Sequence, residues 1–188
     1  MKRVRVIANR TGPKGEPIRV PISATIAHSI TRKALSEVVA WRASLEIRGA
    51  EDANWHWPSL LKEFRKVQQA GLGRYEYLVL RCQHQVQALA ILETAHHVSR
   101  VTLDPLLYVE YIANAPWNRP DIGIDRRFSG CGKALIRVAA ERSLELGLGG
   151  IIGLHSLPGA RDFYRASGLK DFGPDDREHG LHYFELNA

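Results

Sequence analysis

The sequence predicts an α+β fold built on a central mixed, mostly antiparallel sheet flanked by helices. Three observations predict it. Apolar and polar residues alternate in several short runs, apolar residues return at helical spacing in three others, and Leu106 to Ile112 is apolar almost throughout. In chain order the antiparallel pairs come first and are followed by strand, helix, strand, helix, strand, which a mixed sheet accommodates.

The chain opens with Val4-Arg5-Val6-Ile7, breaks at Gly12-Pro13-Lys14-Gly15 and resumes in Ile18-Arg19-Val20-Pro21-Ile22, the pattern of a hairpin-like arm. Helical spacing of Leu35, Val38 and Val39, and of Leu60, Leu61, Phe64 and Val67, predicts helices over about 29–48 and 58–69, with Gly71 and Gly73 ending the second. Tyr75 to Leu80 and Val86 to Leu92 read as an antiparallel pair joined at Gln83-His84-Gln85. Leu106 to Ile112 reads as a strand covered on both faces and therefore central in the sheet. An irregular stretch from Asn114 to Arg127 leads to a helix over 130–146, closed by Gly147, Gly149 and Gly150. A short strand at 151–154, a short helix at 160–166 and a final strand at 181–186 complete the order.

The 188 residues suit one domain, and 45% apolar with 24% charged residues is the balance of a soluble globular chain. Met1-Lys2-Arg3 opens no apolar run of signal-peptide type and no stretch reaches membrane-spanning length, so a cytoplasmic protein without a membrane partner is expected. Cys82 and Cys131 show neither paired spacing nor clustered histidines, so the expectation is reduced thiols and no metal. The net charge of +6 suits an acidic ligand, while the basic residues are spread along the chain without the aromatic interleaving of an RNA-binding surface.

Arg127-x-x-Gly130-x-Gly132-Lys133 stands at the start of an amphipathic helix, shortly after a buried strand. Glycines expose bare amides, and the first-turn amides of a helix lack partners and sit at the positive end of its dipole, so such a segment can hold phosphate. Arg126, Arg127 and Lys133 add charge nearby. The nucleotide-triphosphate pattern Gly-x-x-x-x-Gly-Lys-Ser/Thr is absent, as are the third glycine and later acid of a dinucleotide site, so another phosphate-bearing cofactor is required.

Arg127-Phe128-Ser129-Gly130-Cys131-Gly132 resembles the Arg/Gln-x-x-Gly-x-Gly/Ala signature of the GNAT acetyltransferases, and Ala160 to Leu169 is similar to their Ala-x-x-Phe-Tyr-x-x-x-Gly-Phe helix. The resemblance covers roughly 75–186 and implies a GNAT domain over 26–188 preceded by an arm or variable first strand, 1–25. It implies acetyl-CoA as cosubstrate, with no metal. It places the pantetheine arm against the backbone of Ile112, Ala113 and Asn114, and the pyrophosphate at Arg126, Arg127, Ser129, Gly130, Cys131, Gly132 and Lys133. Leu157 stands where many members carry an Asn that touches the cofactor, so Ser156 would replace that contact; the added residues from Ala115 to Arg126 also depart from the family's compact loop.

By the same resemblance Tyr164 matches the tyrosine that protonates the departing thiolate, with packing beside Phe163 as its alternative role. Glu110 is a candidate general base, since a partly buried carboxylate is pushed towards neutrality, and His155 is the second candidate. Transfer by direct attack would need no nucleophilic cysteine. The acceptor implied is a primary amine, with Trp41, Trp55-His56-Trp57 and Trp117 as pocket, core or homodimer residues. Two other readings fit: an acyl-CoA sensor or scaffold without turnover, and an acetyltransferase acting on aminoacyl-tRNA, which would match the positive charge.

Overall fold

The computed structural model describes residues 1–120 and 126–187. The middle of the irregular stretch, 121–125, lies outside the described residues. The chain divides into two compact units, 1–62 with 77–90 and 112–135, and 63–76 with 91–111 and 136–188.

In the first unit, β1 (Lys2–Thr11) and β2 (Pro17–Ala27) pair antiparallel over their whole length. Val4, Val6 and Ala8 are buried while Arg3 and Arg5 are exposed, so the period-two pattern sets which face meets the core. The helix expected over 29–48 is two helices, α1 (Arg32–Val39) and α2 (Trp41–Ile47), parted at Ala40. Ala34, Val38, Trp41 and Leu45 are all buried, so one apolar stripe continues through the break and periodicity cannot register it. Thr31 caps α1, its hydroxyl accepting from the Ala34 amide at 3.1 Å, an interaction of about 1 kcal/mol. The third helix, α3 (Trp57–Gln69), begins in this unit, and β2 pairs with β3 (Tyr75–Cys82) through Thr25, Ile26 and Ala27. Gln83 and His84, both at positive φ, turn the chain into β4 (Gln85–Glu93).

After β5 (Leu107–Asn114) come a 3₁₀ turn at Pro116–Asn118 and a two-residue strand, β6 (Phe128–Ser129), which pairs with β1 at Ala8 and Ile7. The phosphate-type segment, expected at the start of a helix, therefore also contributes a short strand. α4 (Cys131–Glu145) follows directly.

In the second unit, β7 (Ile152–Ser156) runs parallel to β5, with the ladder at Leu107↔Ile152 and Tyr108↔Gly153. Both strands continue past that ladder. The short α5 (Arg161–Arg165) precedes β8 (Lys170–Asp175), a strand with no counterpart in the apolar pattern, which pairs at the sheet edge with β9 (Leu181–Leu186). β8 is charged, contains Pro174 and is irregular between Asp171 and Pro174, with Gly173 at φ 84°; edge strands tolerate all three features, and all three hide a strand from pattern reading. Among the described residues nine strands form one mixed sheet in the order β6-β1-β2-β3-β4-β5-β7-β9-β8.

Candidate functional site

The first unit builds the phosphate-type segment from its neighbours. Gln87 is buried, and its side-chain oxygen accepts from Trp117 Nε1 at 2.8 Å and from Asn118 Nδ2 at 2.9 Å. Asn118 Oδ1 in turn accepts from the Phe128 amide at 3.0 Å, and the Arg127 amide donates to the Trp117 carbonyl at 2.9 Å. From the other side, the Asn9 amide donates to the Arg127 carbonyl at 2.9 Å, and its side-chain amide donates to the Arg126 carbonyl (2.9 Å) and to Ser129 Oγ (2.8 Å). The segment is thus fixed on both flanks before any ligand arrives.

Gly130 follows at φ 85°, a conformation that L side chains rarely adopt, and a Cβ placed there would meet no atom within 4 Å. The glycine is required by the backbone and leaves open space at the first turn of α4. Arg126, Arg127 and Lys133 are exposed around it, with Arg127 lying 5.4 Å from the Trp117 ring centre. Gly132 and Cys131 are buried, and burial pushes the Cys131 thiol up to about 12, which keeps it protonated and unsuited to nucleophilic attack. Ser129 is half-buried and retains its own hydroxyl proton after accepting from Asn9. On β5, Ala113 is buried and Ile112 half-buried; the side-chain oxygen of Asn114 is buried without a hydrogen-bond partner among the described residues. A buried acceptor without a donor is costly, and an amide N–H from a ligand would satisfy it.

The tryptophans of this unit resolve mainly as core. Trp41 and Trp57 are buried, Trp41 meets Trp117 edge-on at 6.3 Å, and Trp55 meets Trp57 at 5.8 Å. The hollow beside Trp55, His56 and Trp57 holds about 20 Å³, room for a water and too little for an amine substrate.

The second unit gathers titratable groups. Glu93, at the end of β4, is buried and takes two histidines, His96 Nδ1 at 2.8 Å and His97 Nε2 at 2.6 Å. His97 stacks on Tyr108, ring centres 4.0 Å apart, and its Nε2 lies 3.9 Å from Glu110 Oε1. Tyr108 and Glu110 share one face of β5 because strand side chains alternate. Burial pushes the Glu110 carboxyl up to about 7, reinforced by the charges of Glu93 and Glu178. Burial also lowers His97, against the pull of Glu93, which leaves Glu110 without a strong permanent cation. The donor atoms of Glu93, His97 and Glu110 lie within 4.8 Å of one another, a span a small cation could bridge, and two of them are joined by the 2.6 Å hydrogen bond.

His155 is committed on both ring nitrogens: Nδ1 to Tyr108 Oη at 2.5 Å and Nε2 to Asp175 Oδ2 at 3.2 Å. Asp175 also holds Arg100, whose guanidinium is the main cause of its pull down to about 2. Arg100 lies 4.0 Å from the Tyr183 ring centre, and Tyr183 donates to Glu185 at 2.9 Å. This arrangement suits His155 to positioning Tyr108 more than to accepting a proton. Tyr164, on α5, is buried with its ring 5.5 Å from Phe184 and 5.1 Å from Phe163. Ser156 is fully buried, its hydroxyl donating to the Leu157 carbonyl at 2.8 Å. Sequence reading missed Glu93, His97 and Tyr108; the only local signal was the adjacent His96-His97 pair just after a strand ending in an acid.

Among the described residues no helix is long and apolar enough to cross a membrane. No family model and no curated relative matches the sequence. Solved structures do match in fold. The PaiA N-acetyltransferase of Thermoplasma acidophilum, in complex with coenzyme A, aligns with TM-score 0.60 and 14% identity over 89% of this chain and 100% of that one. A GNAT-family acetyltransferase of Staphylococcus aureus Mu50 aligns with TM-score 0.58 and 13% identity over 87% and 98%. The Campylobacter jejuni N-acetyltransferase PseH, in complex with acetyl coenzyme A, aligns with TM-score 0.52 and 9% identity over 87% and 98%. The chain has the fold of the GNAT acetyltransferases, α+β around a mixed sheet, as its two motifs implied.

Proposed function

We propose that this chain, which has the GNAT fold, is an acyl-CoA-dependent N-acyltransferase that moves an acetyl group from acetyl-CoA to a primary amine by direct attack. The observation that supports it most is Glu110, a half-buried carboxylate on β5 held near neutrality, a property a pure binding protein does not need. The cofactor's pyrophosphate fits the segment at Gly130: the open space, the first-turn amides of α4 and the exposed Arg126, Arg127 and Lys133 are all suited to an anion. The unsatisfied Asn114 oxygen fits an amide-bearing arm.

Bound acetyl-CoA supplies the thioester acyl donor. Glu110 accepts the proton of the attacking amine as the C–N bond forms, and Tyr164 supplies a proton to the sulfur as the C–S bond breaks. Backbone amides of β5 stabilise the developing oxyanion, and much of the rate comes from holding the amine against the acyl carbon. Cys131 takes no part, its thiol being buried and protonated.

Acetyl-CoA is expected to raise the thermal midpoint, the native state gaining about 2.7 kcal/mol at a hundred times the dissociation constant. Thiol release with at least one member of a primary-amine panel is expected alongside it. A thermal shift without thiol release would leave the sensor reading; no shift at millimolar acetyl-CoA would remove the acyl-CoA reading altogether. A tRNA-borne amine would instead show up as acceptor activity that falls steeply with salt.

The pH dependence follows from Glu110. Its base form is the carboxylate, whose population grows as pH rises through about 7. With amine saturating, kcat should climb about tenfold per pH unit below that point and level off above it. Glu110→Gln should lose both the limb and about 100-fold in rate. A profile unchanged in Glu110→Gln would take the base role away from this residue.

A further inference from the structure

The net charge of the chain is concentrated in its first hairpin. Residues 1–27 carry six cationic side chains and one acid, Glu16, against a formal net charge of +6 for the whole chain. Glu16 is turned to the hairpin's own loop, where its carboxylate accepts from the Lys14 amide at 3.0 Å. At this end of the hairpin the first unit has a cleft of about 540 Å³, lined by Asn9, Arg10, Ile18, Arg19, Arg126 and Ser129 among others. Arg10, Arg19 and Arg126 are all exposed, and among the described residues none of them is engaged by a carboxylate.

The cleft is continuous with the segment at Gly130, because Arg126 and Ser129 belong to both. It is also held in place against it. The β1–β6 pairing and the two side-chain bonds of Asn9 fix the hairpin to the segment, and Arg19 stands opposite Asn9 in the hairpin register. A ligand with its pyrophosphate at Gly130 would therefore have a second space adjoining the first, to whose lining Arg10, Arg19 and Arg126 all contribute. Guanidinium groups suit a compact dianion such as a phosphomonoester, to which they donate charge-assisted hydrogen bonds.

We propose that the hairpin cleft is the subsite for the 3′-phosphorylated adenosine of coenzyme A, with Arg10 and Arg19 recognising the 3′-phosphate. The proposal rests on the acyl-CoA reading and gives the N-terminal arm a binding role. The test is calorimetric titration of the full chain and of Arg10→Gln/Arg19→Gln with coenzyme A and with dephospho-coenzyme A, at about 50 mM salt where charge pairing is weakly screened. The parent protein should bind coenzyme A at least about tenfold more tightly than dephospho-coenzyme A. The double variant should bind both with the affinity the parent shows for dephospho-coenzyme A, an unchanged value that also certifies its folding. Equal binding of the two ligands by the parent, or discrimination retained in the variant, would overturn the subsite and leave the acyl-CoA reading standing. Failure of the parent to bind either ligand would overturn both.

Discussion

Gly130→Asp is expected to abolish the stabilisation by acetyl-CoA, raising the dissociation constant at least about 100-fold, because it sets a carboxylate where the pyrophosphate belongs and reverses the charge at the start of α4. Position 130 is at φ 85°, so any side chain there also carries backbone strain. Gly130→Asn separates the two effects, since Asn tolerates this conformation and brings no charge. The variants should lose comparable stability as free proteins, while Asn keeps most of the ligand-induced thermal shift and Asp keeps none. Gly132→Asp should also abolish that shift, with a larger folding penalty because Gly132 is buried. Binding retained in both Asp variants would move the phosphate site elsewhere.

Tyr164→Phe is expected to lower turnover about 100-fold or more while cofactor affinity stays within about a few-fold. The ring sits between Phe163 and Phe184 and is almost fully buried, so packing alone is a serious competing role. The two roles predict opposite results. Phe keeps the ring and its contacts, so a packing residue would leave both turnover and affinity nearly unchanged, whereas a proton donor would separate them. Equal thiol-release rates for the variant and the parent would sink the catalytic assignment without touching the cofactor site.

Most of the fold could be read from the chain because its long elements obey a single period. β1, β2, β4 and β5 and the helices α3 and α4 carry clear apolar patterns, and the glycines at 130 and 132 mark a helix start without help from tertiary contacts. Besides the edge strand β8, three features could not be read. The break at Ala40 leaves the apolar stripe intact, so pattern reading sees one helix where there are two. β6 is two residues long and exists through its pairing with β1, a partner about 120 positions away. The cluster around Glu110 joins residues near 93–97, 108–110, 155 and 175, which meet only because β7 lies beside β5 and β9 and β8 follow it. Spacing along the chain holds no record of such neighbours, and so Glu110 and His155 could be named as a first and a second candidate base but not placed among the side chains that surround them.

The clasp between Asn9 and Ser129 also sets a timetable for folding. Its two ends are 120 positions apart, a separation that makes the contact slow to form and late in the order of events. During synthesis at roughly 5–20 residues per second, β1 leaves the ribosome some 6–24 s before its partner strand exists. The outer edge of β1 waits through that interval, and even in the finished protein, among the described residues, the segment at β6 reaches only its far part, pairing with Ile7 and Ala8 and taking the Asn9 amide on the Arg127 carbonyl. An uncovered strand edge invites pairing with another chain, and Arg3, Arg5 and Arg10, all exposed along this strand, are the kind of side chain that discourages it. The basic character of the hairpin would then protect the nascent chain from self-association before it had any ligand to bind.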